Sequence, residues 1–452
     1  MPIAAVPKYL GKDFQETSPG LRFGMFLKLW GVNRRTHALL WKTHDIYYKV
    51  CGPQQQEREY KDENKVGALS DAKSLNKRDR DEMNALSLRQ SALAASVPVS
   101  QLLRLEAIAV APFTTGLGNE HPLENGFAFL NPYGLPYLPG SGVKGVLRQA
   151  ASELASGDWG DTKGWSTEPS YTLMTGEGDA RRSIIDEKTK EPVTFSMLDA
   201  LFGLESQEGE KVHIRGALFF WDVIPQIAGD NLMVEIMTPH QSHYYQQKKD
   251  KKTGDSVSPH DSGQPTPISY LTVPPGSGFT FHIVCDLAHL QRLAPELAQN
   301  SKWKELLTAA FEHAFQWLGF GAKTAVGYGA MRRDLEAEAI AAKVQAENEA
   351  KAQVAHEKAE REAAFAAMTE EERQLETFRE LYEAEKAKGP YKAGGIFDQK
   401  RNELLRAASK WENKEMKREA AALIKKTISE WTGWPGKKKK QELKDLLNKL
   451  EN

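Results

Sequence analysis

The sequence predicts an α+β protein. Its centre is a four-stranded antiparallel sheet with two helices on one face, the ferredoxin-like (RRM-like) arrangement, with large loop insertions and an α-helical C-terminal extension. Three observations predict this. Between residues 101 and 333 the periodicities run strand–helix–strand–strand–helix–strand. Two long stretches in that region repeat apolar residues at helical spacing. Beyond residue 334 the composition turns to Ala, Glu and Lys. The expected organisation is a leader over 1–100, the core over 101–333 and the extension over 334–452.

The leader reads as irregular and partly helical. Leu21, Phe23, Met25, Phe26, Leu29 and Trp30 form an amphipathic piece, and 36–51 reads as a second helical stretch. Residues 53–82 are too polar to build a core and read as a solvated helix or loop. In the core, 102–111 is small, apolar and strand-like. Ser141 opens a helix whose Val143, Val146, Leu147, Ala150, Ala151 and Leu154 share one face. Lys144 and Arg148, four apart, share another. Residues 156–197 are turn-rich, in the manner of an insertion. Strands are expected over 212–223, 232–237, 268–273 and 279–285, the last two flanking a Pro-Pro-Gly-Ser-Gly hairpin signal at 274–278. Trp303, Leu306, Leu307, Ala310, Ala314, Trp317 and Leu318 mark the second helix, and a short strand closes the core over 328–332. In the extension, 335–367 reads as an exposed helix or loose coiled coil. Thr369 with Glu372 gives a capping-box signal, and helices are expected near 370–388, 395–413, 415–430 and 437–450.

Composition narrows the function. The chain has 452 residues and a formal net charge of -1, so any contact with nucleic acid needs a local basic patch rather than a global field. Cys51 and Cys285 are solitary, which fits neither a disulfide framework nor a zinc site and suits a reducing compartment. The start lacks a basic region followed by an apolar run, and no stretch approaches the ~18 apolar residues of a membrane span. The expectation is a soluble cytoplasmic protein without cofactor.

Two glycine-laced segments carry the functional signal: Leu138-Pro-Gly-Ser-Gly-Val-Lys-Gly-Val-Leu-Arg148 and Gly319-Phe-Gly-Ala-Lys-Thr-Ala-Val-Gly-Tyr-Gly329. Each offers backbone amides, small residues and a basic side chain at a helix end, a combination suited to a phosphate backbone. The bland readings are a solvated helix face for the first, and a helix C-cap followed by a β-turn for the second. The second is not a Walker loop, because Ala322 precedes Lys323 and a strand follows.

The first segment, extended back through Pro132-Tyr-Gly-Leu-Pro-Tyr137, resembles the first conserved block of the RAMP superfamily of CRISPR-associated proteins. Gly319–Gly329 resembles that superfamily's glycine-rich loop. Leu201-Phe-Gly203, Gly216 to Asp222, Met237-Thr-Pro-His240 and Pro267 to Val273 look like the branch that supplies the sixth subunit of type III-B (Cmr) effectors. The resemblance spans roughly 15–333 and leaves 334–452 uncovered. It implies a non-catalytic subunit of an RNA-guided complex in antiviral defence. Such a subunit holds guide RNA near its 3′ end and packs on neighbouring RAMP subunits, with target RNA as a further possible partner. The residues it singles out for RNA are Ser141, Lys144, Arg148, Gly321, Lys323, Thr324 and Tyr328.

Other candidates carry weaker signals. His240 and His243 resemble a metal pair without a third ligand, and structural or stacking use is favoured. Tyr244 and Tyr245 beside Lys248, Lys249, Lys251 and Lys252 are candidate base or partner contacts. His121, His213 and His313 matter for the alternative function, a metal-independent endoribonuclease that processes guide precursor. Asp222 reads as a turn residue. Lys437–Lys440 reads as a solvated lysine face, with Trp431 and Trp434 packing the extension.

Overall fold

The computed structural model describes residues 3–32, 39–41, 46–51, 57–62, 64–176, 182–186, 190–204, 213–238 and 267–451. They form two compact units, Met1–Ala342 and Lys343–Asn452.

The N-terminal unit mixes helix and sheet. Its central sheet has strands β1 (Leu102–Ala109), β2 (Leu218–Phe220), β5 (Gly278–Cys285) and β6 (Met331–Arg333), in the order β2–β5–β1–β6 and antiparallel throughout. Two further strands, β3 (Met233–Met237) and β4 (Ile268–Thr272), form a separate antiparallel pair between β2 and β5 in the chain. Helix α1 (Gly140–Ser156) connects β1 towards β2, and α3 (Lys302–His313) lies between β5 and β6. A short helix, α2 (Met197–Phe202), begins with a reciprocal Ser196/Asp199 capping box.

Alternation explains the sheet. Leu103, Leu105, Ala107 and Ala109 of β1 and Phe279, Phe281, Ile283 and Cys285 of β5 are buried in one cluster. Val143, Leu147, Ala150, Ala151 and Leu154 of α1 and Trp303, Leu306, Leu307, Ala310 and Phe311 of α3 join it. The alanines let α1 and α3 pack closely, while Phe281, Phe311, Phe315 and Phe320 form an aromatic knot with centroids 5.1–6.2 Å apart. Burial pushes the Cys285 thiol up to about 12, so this sulfur is inert packing.

Several local expectations are corrected. Residues 64–72 and 77–95 are ordered helices, and Ala68, Leu69, Ala72 and Leu75 enter the main core. What the polar composition concealed is the buried Arg22, 1 % exposed. Its guanidinium donates to the carbonyls of Gln15, Thr17, Asp71 and Ser74, and lies 3.9 Å from Asp79. A few apolar residues per helix suffice because this cation satisfies the loop carbonyls around them. Within 36–51 the described residues, Leu39–Trp41 and Ile46–Cys51, are strands rather than helix. The 274–278 signal does not join a hairpin: β4 pairs with β3, and the turn instead delivers the chain to β1, where Gly276 N–H donates to Ala109 O at 2.7 Å. The second strand is short: among the described residues of 212–223, Leu218–Phe220 pairs with β5, while Ile214 and Val223 make isolated bridges elsewhere. Trp317 falls off the apolar face and is 57 % exposed, since Ala314–Leu318 winds as a wider π-turn. Tyr328 lies in a turn before β6.

The C-terminal unit is helical: the end of α4 (Leu335–Ala367), then α5 (Glu370–Ala387), α6 (Ile396–Ala408), α7 (Lys414–Thr427) and α8 (Lys437–Glu451). Thr369 and Glu372 make the expected capping box. Leu375, Phe378, Tyr382, Phe397, Leu404, Ile424, Leu443 and Leu447 anchor a core of its own. Trp431 packs against it, with its indole N–H donating to Gly389 O at 3.0 Å.

Candidate nucleic-acid interface

The first glycine segment runs along the β2 edge, with Leu138 bridging to Val223. Pro139 precedes α1 and Gly140 is its first residue. A Cβ on Gly140 would stand 2.2 Å from Phe220 O, so glycine is what lets the helix start against the strand. The Gly140 N–H donates to Asp222 Oδ1 at 2.7 Å. The sequence reading missed this. Asp222 is no mere turn residue: it supplies an internal carboxylate to the helix end where a phosphate was expected.

Ser141 is exposed and Lys144 half-buried. Lys144 has no carboxylate within ion-pair distance among the described residues. Arg148 is different. Its Nη1 donates to Gly203 O at 2.8 Å and its Nη2 lies 3.8 Å from Asp199 Oδ1. The guanidinium braces α1 against the end of α2, and only 28 % of the side chain is exposed. The helical spacing that put Lys144 and Arg148 together said nothing of this neighbour.

The second segment follows α3 and its π-turn. Gly319, Gly321, Gly327 and Gly329 all have positive φ. Two of these glycines are required by packing. A Cβ would lie 1.8 Å from Phe320 O at Gly329 and 2.3 Å from Thr114 O at Gly321. The loop lies on the chain leaving β1: Gly329 N–H donates to Pro112 O, Ala322 N–H to Thr114 O and Phe320 N–H to Gly329 O, at 2.8–2.9 Å. Thr324 starts a 3-10 turn.

Lys323, itself at φ +61°, turns towards the β3–β4 pair. Its Nζ lies 3.0 Å from Met237 Sδ and 5.1 Å from the Tyr270 ring centroid. Burial pulls the Lys323 pKa below its ordinary value. Tyr270 donates its hydroxyl to Tyr328 at 2.8 Å, and burial followed by that bond raises its pKa. Lys323, Tyr328, Tyr270 and Met237 therefore make one cluster tying the loop to β3–β4. Met237 and Tyr270 lie in segments that carry the family resemblance, but the sequence did not single out either as a partner of Lys323, because nothing local marks which strand a loop lysine will reach.

The structure thus separates the predicted residues into two groups. Ser141 and Lys144 lie on the β2 side. Gly321, Lys323, Thr324 and Tyr328 lie where β1 ends and β6 begins. The sheet order puts three strand spacings between β2 and β6, roughly 14 Å.

The histidines divide similarly. His121 stacks on Phe23 at 3.8 Å and donates Nε2–H to Phe23 O at 2.9 Å, with burial pulling its pKa down. His313 lies 2.8 Å from Glu153, joining α3 to α1. His213 is exposed. His240, His243, Tyr244, Tyr245 and the lysines at 248–252 lie outside the described residues. His282 was not anticipated. It is 3 % exposed, neither ring nitrogen finds a partner among the described residues, and burial with nearby Arg104 lowers its pKa to about 4. No group of three or more His, Cys, Asp or Glu among the described residues is placed to hold a metal.

The RAMP superfamily model matches residues 106–332, half of the chain, and the chain belongs to that superfamily. Within it, the sequence is similar to the CRISPR system Cmr subunit Cmr6 of Pyrococcus furiosus, with 28 % identity over 244 residues. That alignment covers 47 % of this chain and 63 % of the relative, so the chain spans under two thirds of that protein's length. Among solved structures, a cryo-EM structure of the type III-B Cmr-beta bound to cognate target RNA matches at 18 % identity and TM-score 0.36, over 60 % of this chain and 71 % of the other. The crystal structure of Cmr6 from Pyrococcus furiosus matches at 23 % and 0.25, over 52 % and 99 %. Among the described residues no helix is long and apolar enough to cross a membrane.

Proposed function

We propose that this chain is a non-catalytic, RNA-binding subunit of a type III-B RNA-guided effector. On this reading it acts in the cytoplasm in antiviral defence, holds guide RNA near the 3′ end and packs on other RAMP subunits. The observation that carries the reading is the match to Cmr6 together with a superfamily match that includes both glycine segments. The strand order β2–β5–β1–β6, with helices after the first and third strands of the chain's β1–β2–β5–β6 series, supports a ferredoxin-like core. The domain reading keeps a core of 101–333 between a leader of 1–100 and an extension of 334–452.

The geometry sharpens the residue roles. Lys144 and Ser141 serve one point of an extended backbone, and Lys323, Thr324, Gly321 and Tyr328 serve another. Arg148 contributes mainly by holding α1 in place.

The test is affinity purification from the native host with RNA sequencing, repeated on Lys144→Glu and Lys323→Glu. Short RNAs sharing one repeat-derived end, together with other RAMP subunits, are expected with the wild type. Each variant is expected to lose guide and to lower the salt slope of binding by roughly one unit. Unchanged assembly and guide retention in both variants would overturn the residue roles. Cutting of repeat RNA by the isolated protein under chelation would instead support the endoribonuclease reading.

A further inference from the structure

The C-terminal unit holds a cluster that its own packing does not explain. Helix α8 carries Lys437–Lys440 in its first turn and no acidic residue there, the reverse of what a helix dipole favours. Leu443, Leu447 and Leu450 seat the helix on the core. Beside it, Trp434 stands in the Gly433-Trp-Pro-Gly436 turn and is 41 % exposed. It does not pack the extension, as its neighbour Trp431 does. The ammonium groups of Lys440 and Lys444 lie 5.7 and 5.5 Å from the Trp434 ring centroid. Neither they nor Lys439 has a carboxylate within ion-pair distance among the described residues. Several other cations of the unit are paired, as Lys386 is with Glu430 at 2.9 Å and Arg401 with Asp398 at 2.9 Å.

We propose that Trp434 with Lys439, Lys440 and Lys444 forms a second surface, one that binds single-stranded nucleic acid. Two ammonium groups beside an exposed indole, with Lys439 next along the helix and none of the three ion-paired among the described residues, provide what such a strand requires: charge for successive phosphates and a flat face on which an unpaired base stacks. A membrane surface fits less well, because Leu443, Leu447 and Leu450 of α8 are buried in the core and the exposed Leu446 alone makes no lipid-facing stripe. An acidic peptide would use the lysines but leave the indole idle. The surface lies in 343–452, beyond the residues of the superfamily match, and does not depend on the roles given to Lys144 and Lys323.

The test uses the full-length protein and an oligouridine of about 20 nucleotides carrying a photoreactive uridine. Cross-links on the peptide containing Trp434 are expected. The triple variant Lys439→Glu, Lys440→Glu, Lys444→Glu should weaken binding about tenfold or more and reduce the salt slope by roughly two to three. Trp434→Ala should weaken binding roughly fivefold or more with little change in slope, and Trp434→Phe should retain most of it. Circular dichroism of Trp434→Phe and the triple variant separates lost contact from lost helix. Cross-links confined to residues 1–342 would overturn the proposal. So would equal competition by polyglutamate, or by anionic vesicles, against the oligouridine.

Discussion

The segments 138–148 and 319–329 share glycines and a lysine, yet the fold uses them differently. In the first, one glycine lets a helix begin against β2, and the helix end is already served by Asp222. In the second, glycines let a loop lie on the carbonyls of Pro112 and Thr114. The cation of the first without an ion-pair partner among the described residues is Lys144, whereas Lys323 of the second is partly desolvated against Met237 and Tyr270. A glycine-and-lysine pattern therefore reports close backbone packing first. Which cation remains for a ligand is decided by neighbours distant in sequence.

The sharpest break of this comparison is Gly329→Ala. With φ +70° and a carbonyl 1.8 Å from the added methyl, the substitution forces the loop off its seat. It should cost about 3 kcal/mol or more in urea unfolding; a loss under about 1 kcal/mol would mean the loop is not packed as described.

The strand between the two segments gives the next effect. His282 of β5 is held neutral by burial, with a pKa of about 4 against 6.5 when exposed. From pH 6.5 down to 4 the unfolded chain takes up a proton that the folded chain refuses. Stability should therefore fall with acid over that window, by about 2–3 kcal/mol at pH 4.5 relative to pH 7. His282→Leu should flatten that dependence, and an unchanged slope would place the acid sensitivity elsewhere.

A smaller effect separates the two basic residues of α1. Arg148→Ala removes a charged donor from a buried carbonyl and should cost about 1–2 kcal/mol, whereas Lys144→Ala should stay within about 0.5 kcal/mol. Equal losses would erase the distinction drawn between brace and contact. The smallest change expected is a gain. Gly145 is exposed, helical and has nothing within 4 Å of an added Cβ, so Gly145→Ala should stabilise by about 0.5–1 kcal/mol.

Legibility followed how local each determinant was. The faces of α1 and α3, the strand at 102–109 and the Thr369 cap were readable because their signals lie within a few residues of one another. The leader was misread because its order rests on Arg22 reaching carbonyls as far away as Ser74. The 274–278 turn was misread because turn residues mark a reversal without naming the strand it serves. In the candidate site, Lys144 and Lys323 were visible as candidate cations, but the roles of Asp222, Tyr270, Met237 and His282 were not. Each acquires its role from a partner on another element.

The sequence by itself determined where α1, α3 and the helices of the extension form, most of their apolar faces, the strand at 102–109, and which glycine and lysine segments stand out as candidates. These follow from periodicity, caps and backbone freedom, all encoded over short distances. Tertiary structure alone decided that Arg148 is a brace, that Lys323 belongs to a cluster with Tyr270, that an internal carboxylate serves the start of α1, and that Trp434 stands exposed under two lysines. Burial and pairing are properties of neighbours, and neighbours are set by how the chain returns on itself.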